Sequence, residues 1–152
     1  LAIDRAGFVG DDGETHNGLY DVAFLQSIPK VTVYSPATYD EMKIDFGNAF
    51  YRDKDVVAVR YPRGGEPEIP EDYEPSFGTY DIYGNVSADK VIVTYGRLFF
   101  EAAKAIKELA NHSIDAKVLK LNRIKPIDPE ALKAVKSLPP SSSNTVTRAI
   151  MI

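Results

Sequence analysis

The chain has 152 residues, no cysteine, 44% hydrophobic and 26% charged residues, and a formal charge of -4. This is the composition of a soluble globular protein with room for one ordinary domain or two small ones. The acid excess, without a run of five like charges, argues against nucleic acid or anionic membrane as partners. The lack of thiols excludes disulfides and thiolate metal sites and fits a cytoplasmic setting, and no apolar run approaches the roughly 18 residues that span a bilayer.

Leu1-Ala2-Ile3 is an apolar, strand-like start without an initiator Met or a signal peptide, and its abruptness predicts an upstream part of the protein. It runs straight into Asp4 to Asp21, eighteen residues that hold four glycines, a histidine, an arginine and several acids. The amphipathic stretch Leu19 to Ile28 reads as a helix, Val31 to Ser35 as a strand, and Val56 to Tyr61 as a strand too continuously apolar to be half-exposed, hence in the middle of a parallel sheet. Between these strands, Thr38-Tyr39-Asp40-Glu41 predicts a capping box, and Tyr39, Met42, Phe46, Ala49 and Phe50 recur at helical steps, which predicts one buried apolar face. Strand, helix and strand in this order make a βαβ unit.

From Gly64 to Ser76, three prolines and five acids in thirteen residues mark a linker. A second α/β pattern follows. Lys90 to Tyr95 reads as a strand, and Arg97 to Ala110 as a helix with Phe99, Ala103, Ile106 and Ala110 on one face. Ala116 to Asn122 reads as another strand, and a further helix begins at Asp128, with Pro129 at its first position and Glu130 in its first turn. Ser141 to Asn144 has no periodicity, and Ala149 to Ile152 is too short to assign. The expectation is an α/β chain of two small domains: residues 1–63, a linker at 64–78, and an incomplete second domain at 79–152.

Glycine-rich loops let backbone donors approach a ligand closely. His16, read as lying just ahead of the first helix, has the chemistry to donate to an oxyanion or move a proton near neutral pH. Arg60-Tyr61-Pro62-Arg63-Gly64 ends the buried strand, and in open α/β sheets ligands bind beyond the carboxyl ends of strands, so Arg63 is placed to meet a substrate phosphate with its planar fork. Each residue has a structural alternative as well: His16 as a helix cap, Asp12 as a turn residue beside Gly13, Arg5 as a surface charge paired with Asp4. Arg60, still within the strand, is expected to pair with an acid of a neighbouring element and is left out of the site.

Asp4-Arg5-Ala6-Gly7, Asp12-Gly13-Glu14-Thr15-His16 and Arg60-Tyr61-Pro62-Arg63-Gly64 together resemble the pyrimidine-binding domain of the 1-deoxy-D-xylulose-5-phosphate synthase family. Ser27-Ile28-Pro29, Ser35-Pro36 and Lys125-Pro126-Ile127-Asp128 extend the resemblance to roughly residues 1 to 135. It implies a mostly parallel transketolase pyrimidine-type sheet followed by a transketolase C-terminal-type α/β domain. It further implies a transferase that condenses pyruvate with D-glyceraldehyde 3-phosphate, with loss of carbon dioxide, on thiamine diphosphate with Mg2+. Such enzymes are homodimers that feed isoprenoid, thiamine and pyridoxal synthesis. By the same resemblance Arg5 and Arg63 grip the acceptor phosphate, and Asp12 and His16 bind and polarise the reacting oxygens.

The Gly-Asp-Gly motif that holds diphosphate through Mg2+, and the glutamate that activates the cofactor, are not identifiable in this chain. No cofactor-binding or metal-binding residue is therefore assigned, and the chain alone is expected to be inactive. The competing expectations are a transketolase, a 2-oxoacid dehydrogenase β-type subunit, and a non-catalytic dimerisation or regulatory module.

Overall fold

The computed structural model describes residues 1–136 and 150–151. In chain order the elements are β1 (Ala2–Ile3), α1 (Asp21–Ser27), β2 (Val31–Tyr34), α2 (Tyr39–Tyr51), β3 (Val56–Arg60), β4 (Tyr80–Gly84), β5 (Lys90–Tyr95), α3 (Leu98–Asn111), β6 (Ala116–Leu121), β7 (Arg123–Lys125), α4 (Pro129–Lys136) and β8 (Ile150–Met151). They form two four-stranded sheets, ordered β1-β3-β2-β7 and β4-β6-β5-β8. In the first, β3 lies between β1 and β2 and is parallel to both, as its continuous apolar run requires. In the second, β5 and β6 are parallel and joined through α3, while β4 adds an antiparallel strand beside β6. The run Ser141 to Asn144 lies outside the described residues, and the closing segment contributes β8, parallel to β5.

One extended stretch serves both sheets. β6 is fully buried in the second sheet, and two residues later β7 pairs antiparallel with β2 in the first. At the corner, the Asn122 carbonyl accepts from the Ser35 N–H at 2.9 Å, and the Asn122 N–H donates to the Thr79 carbonyl at 3.0 Å. The apolar core is shared accordingly. Leu25, Val31, Val33 and Ala58 from the first unit pack with Val91, Leu119, Leu121, Ile124 and Ala131 from the second.

Helix α2 departs from its expected pattern. Thr38 does cap it, its hydroxyl accepting from the Glu41 N–H at 3.1 Å. The Glu41 carboxylate, however, accepts from the Ala37 N–H at 2.7 Å, one residue before the cap, so the reciprocal half of a capping box is shifted. The buried residues of this helix are Glu41 and Asp45, whereas Tyr39 is 48% and Phe50 76% exposed. The reason lies in the second unit. Lys120 of β6 is completely buried and donates to Glu41 at 2.8 Å, and the Tyr73 hydroxyl donates to the same carboxylate. The Tyr73 hydroxyl oxygen also lies 3.0 Å from Asp81, which accepts from the Asn122 amide at 2.8 Å. A buried charge is tolerated only when paired and hydrogen-bonded, and this network supplies both conditions across the junction.

Helix α3 follows its predicted face through Phe99, Ala103 and Ile106, but it begins at Leu98, and Ala110 is exposed. Asp128 caps α4 by accepting from the Glu130 N–H at 2.9 Å. The proline-rich segment 64–78 forms no helix or strand, yet it is anchored by Tyr73, whose ring lies 4.4 Å from that of Phe99.

Candidate functional site

The loop that leaves β1 is closed at its neck by backbone bonds. The Ala6 N–H donates to the Tyr61 carbonyl at 3.0 Å and so extends the β1/β3 pairing, and the Gly18 N–H donates to the Arg5 carbonyl at 2.9 Å. Gly7 and Gly18 also exchange bonds, each donating to the other's carbonyl at 3.1 Å. A side chain at residue 18 would not fit, because its Cβ would stand 2.6 Å from the Arg5 oxygen. Arg5 itself takes φ 59°, a left-handed conformation that a non-glycine residue keeps only where its surroundings impose it. Further out, the Asn17 side chain braces the tip, accepting from the Val9 N–H at 2.5 Å and donating to the Gly13 carbonyl at 3.3 Å.

This folding brings three of the four predicted site residues together. The Asp12 carboxylate accepts from Arg5 Nε at 2.7 Å through one oxygen and pairs with Arg63 Nη1 through the other. Arg5 also pairs with Asp4. The Asp12 side chain is only 14% exposed, while those of Arg5 and Arg63 are 35% and 47% exposed. One shielded carboxylate thus holds two guanidiniums, distant in sequence, at a common solvent-facing mouth. Neither guanidinium uses all five of its N–H donors in these contacts, so both remain able to meet an anion. Arg5 thus makes the surface pairing with Asp4 and the bond to Asp12 at the same time.

His16 is not part of that cluster. It ends a single 3-10 turn, Glu14–His16, that follows Gly13 at φ 75°, and α1 starts only at Asp21. It therefore does not stand just ahead of the helix, and that expectation is corrected. Its ring is exposed, Nδ1 lies 3.0 Å from the Thr15 hydroxyl, and among the described residues it makes no bond to Arg5, Asp12 or Arg63.

Arg60 is 6% exposed and Asp21 7%. Arg60 Nε and Nη2 donate to the two Asp21 carboxylate oxygens at 2.8 and 3.3 Å, the bidentate pairing with a neighbouring acid that its place in the strand predicted. Two further residues that sequence reasoning left unassigned reach the first unit from the second, and of these only Arg97 touches a predicted site residue. Arg97, just before α3, donates to the Arg63 carbonyl at 3.1 Å, and Lys125 Nζ donates to the carbonyls of Leu25 and Gln26 at 2.8 and 3.0 Å, at the end of α1. A cation at a helix C-terminus satisfies carbonyls that lack helical partners and opposes the helix dipole. The only sequence signal for Lys125 was its motif with Pro126, Ile127 and Asp128.

A cleft of about 530 Å³ lies between the loop neck and the start of α3, lined among others by Gly7, Gly18, Arg60, Pro62 and Tyr95. Arg5, Asp12, His16 and Arg63 do not line it. Among the described residues no group of three or more His, Asp or Glu is arranged to hold a metal ion. No helix among the described residues is long and apolar enough to cross a membrane.

Comparison with known proteins agrees with this architecture. Residues 1–67 match the transketolase pyrimidine binding domain, and residues 85–139 the transketolase C-terminal domain. Curated 1-deoxy-D-xylulose-5-phosphate synthases are similar over most of the chain. That of Shouchella clausii is 34% identical over 89% of this chain and 22% of its own length. That of Crocosphaera subtropica is 37% identical over 87% of this chain and 21% of its own. The chain thus spans about a fifth of the length of these relatives.

Among solved structures, a split-gene transketolase described as an inactive β4 tetramer is 27% identical, with a TM-score of 0.74 over 90% of this chain and 44% of that one. A Pichia stipitis transketolase variant in complex with fructose 6-phosphate has a TM-score of 0.74 at 21% identity, over 87% of this chain and 20% of its own, a likeness of fold. With two transketolase domains matched in order and synthase relatives aligned along nearly all of it, the chain belongs to the transketolase family and corresponds to the C-terminal portion of the 1-deoxy-D-xylulose-5-phosphate synthases.

Proposed function

We propose that the complete protein condenses pyruvate with D-glyceraldehyde 3-phosphate, releasing carbon dioxide, to give 1-deoxy-D-xylulose 5-phosphate, and that Arg5 and Arg63 in this chain grip the acceptor phosphate. The observation that carries the reading is the convergence of both guanidiniums on Asp12 at one mouth. Two planar forks held side by side suit a phosphate dianion far better than a neutral aldehyde. Asp12 holds the two forks in register, which lowers the entropy lost when phosphate binds. His16, exposed on the same loop four residues on, donates to or accepts from a reacting oxygen once substrate is present. Thiamine diphosphate, when bound with Mg2+ by the remainder of the protein, supplies the electron sink for decarboxylation.

The active form is a cytoplasmic homodimer, and this chain without the remainder does not turn over. The related split-gene subunit whose tetramer is described as inactive supports that last point. In the full-length protein, Arg63→Ala should raise KM for glyceraldehyde 3-phosphate at least about tenfold while leaving KM for pyruvate nearly unchanged. An equal rise in both would refute the phosphate assignment.

A further inference from the structure

Arg60 fills a place that neither the phosphate grip nor the core requires. A buried strand residue needs no charge, yet this one carries a guanidinium that reaches four partners in three parts of the chain. Besides its bidentate pairing with Asp21 at the start of α1, Nη2 donates to the Gly18 carbonyl at 3.2 Å and Nη1 to the Ser35 hydroxyl at 3.4 Å. The guanidinium carbon also lies 5.5 Å from the centre of the Tyr95 ring, which belongs to the second unit. Replacing a buried ion pair by apolar residues is often neutral or stabilising, so stability alone gives no reason for this arrangement.

Of the four partners, Gly18 belongs to the neck of the loop. Gly18 donates to the Arg5 carbonyl, and Arg5 sits at φ 59° with its side chain on Asp12. The path therefore runs from Tyr95 through Arg60 to Gly18 and on to Arg5, entirely through direct contacts. We propose that Arg60 is a positioning residue for the acceptor-phosphate grip, and that through Tyr95 it makes the second unit a fixed support for the loop that carries Arg5. This inference rests on the functional reading above for its kinetic consequence, but its structural core does not.

Two substitutions in the full-length protein separate positioning from mere stability. Arg60→Lys keeps a positive charge, but a single ammonium on a flexible stem cannot serve Asp21, Gly18 and Ser35 in one planar arrangement. Tyr95→Leu keeps apolar bulk and leaves every hydrogen bond of Arg60 in place. The readout is the ratio of kcat/KM for D-glyceraldehyde 3-phosphate to that for unphosphorylated D-glyceraldehyde, with hydrogen exchange of residues 5–18 measured on the same samples.

The ratio should fall about tenfold or more in Arg60→Lys and severalfold in Tyr95→Leu, mainly through KM for the phosphorylated acceptor. Loop-neck amides should exchange about tenfold faster while those of β6 are unchanged. A wild-type ratio and wild-type neck protection in both variants would overturn the proposal, even if the melting temperature dropped. If the unaltered protein showed no preference for the phosphorylated acceptor, the phosphate reading would fail by itself. The exchange data would then still decide the structural claim, faster exchange at the neck upholding it and unchanged exchange ending it.

Discussion

Asp45 offers the sharpest test of how the two units meet. It is 3% exposed on the buried face of α2, and its Oδ2 has no hydrogen-bond partner among the described residues. Burial pushes its carboxyl up from 3.8 to about 8; the Lys120 ammonium opposes the rise, while Glu41, Asp53 and Asp81 add to it. A carboxyl that ionises near 4 when unfolded and near 8 when folded binds more protons in the folded state throughout that window. Stability therefore falls as pH rises from about 4 to about 8, by at most about 1.4 kcal/mol per pH unit, and the loss levels off above that. At neutral pH the accumulated penalty is about 4 kcal/mol as an upper bound.

Asp45→Asn keeps the shape and removes the proton uptake that folding requires, so it should stabilise α2 by a few kcal/mol at pH 7 and by little near pH 4. Hydrogen exchange of the α2 amides in the full-length protein, corrected for intrinsic rates and followed from pH 5 to 9, measures the difference directly. A wild-type-minus-variant difference that stays flat with pH, or a variant less protected than the wild type at pH 7, would refute the reasoning.

Other consequences are equally concrete. Lys120→Met removes the cation from Glu41 and should destabilise the protein by about 3–5 kcal/mol, with much of the loss recovered when Glu41→Leu is added, as read by thermal unfolding. Gly18→Ala pushes a methyl group against the Arg5 oxygen and should abolish acceptor binding, or folding of the loop, whereas Gly10→Ala, with nothing within 4 Å of the added carbon, should leave the exchange of the loop neck unchanged. His16→Ala should lower kcat by about 10²-fold with cofactor affinity unchanged if its ring meets a developing charge, and an unchanged kcat would make it a surface residue of the loop tip.

Much of this was readable from the sequence. Strands β2, β3, β5 and β6 and the apolar side of α3 follow from period and continuity, and the arginine-bearing blocks marked the mouth where Arg5 and Arg63 meet. What escaped was set by distant partners. An acidic buried face on α2 has no local signal, since Lys120 lies 79 residues from Glu41. β4 and β7 are short, and β7 exists only because β2 presents an open edge to it. His16 was displaced from the helix by a 3-10 turn following a positive-φ glycine, a backbone choice that composition does not encode. Arg60 was read correctly as an ion-pair partner, while its reach to Gly18 and Tyr95 depends on the folded neck.

The passage of a single extended stretch from β6 into β7 also bears on how this protein can be dissected. Severing the chain anywhere in residues 64–78 would strip the first sheet of its outer strand, leave the amide row of β2 open, and remove the lysine that closes α1. A fragment ending there would carry an unguarded edge beside bared valine and leucine, the condition under which sheets recruit other chains. Such a piece should associate or precipitate, while one extended past Lys125 should not, and size-exclusion profiles of the two would tell them apart.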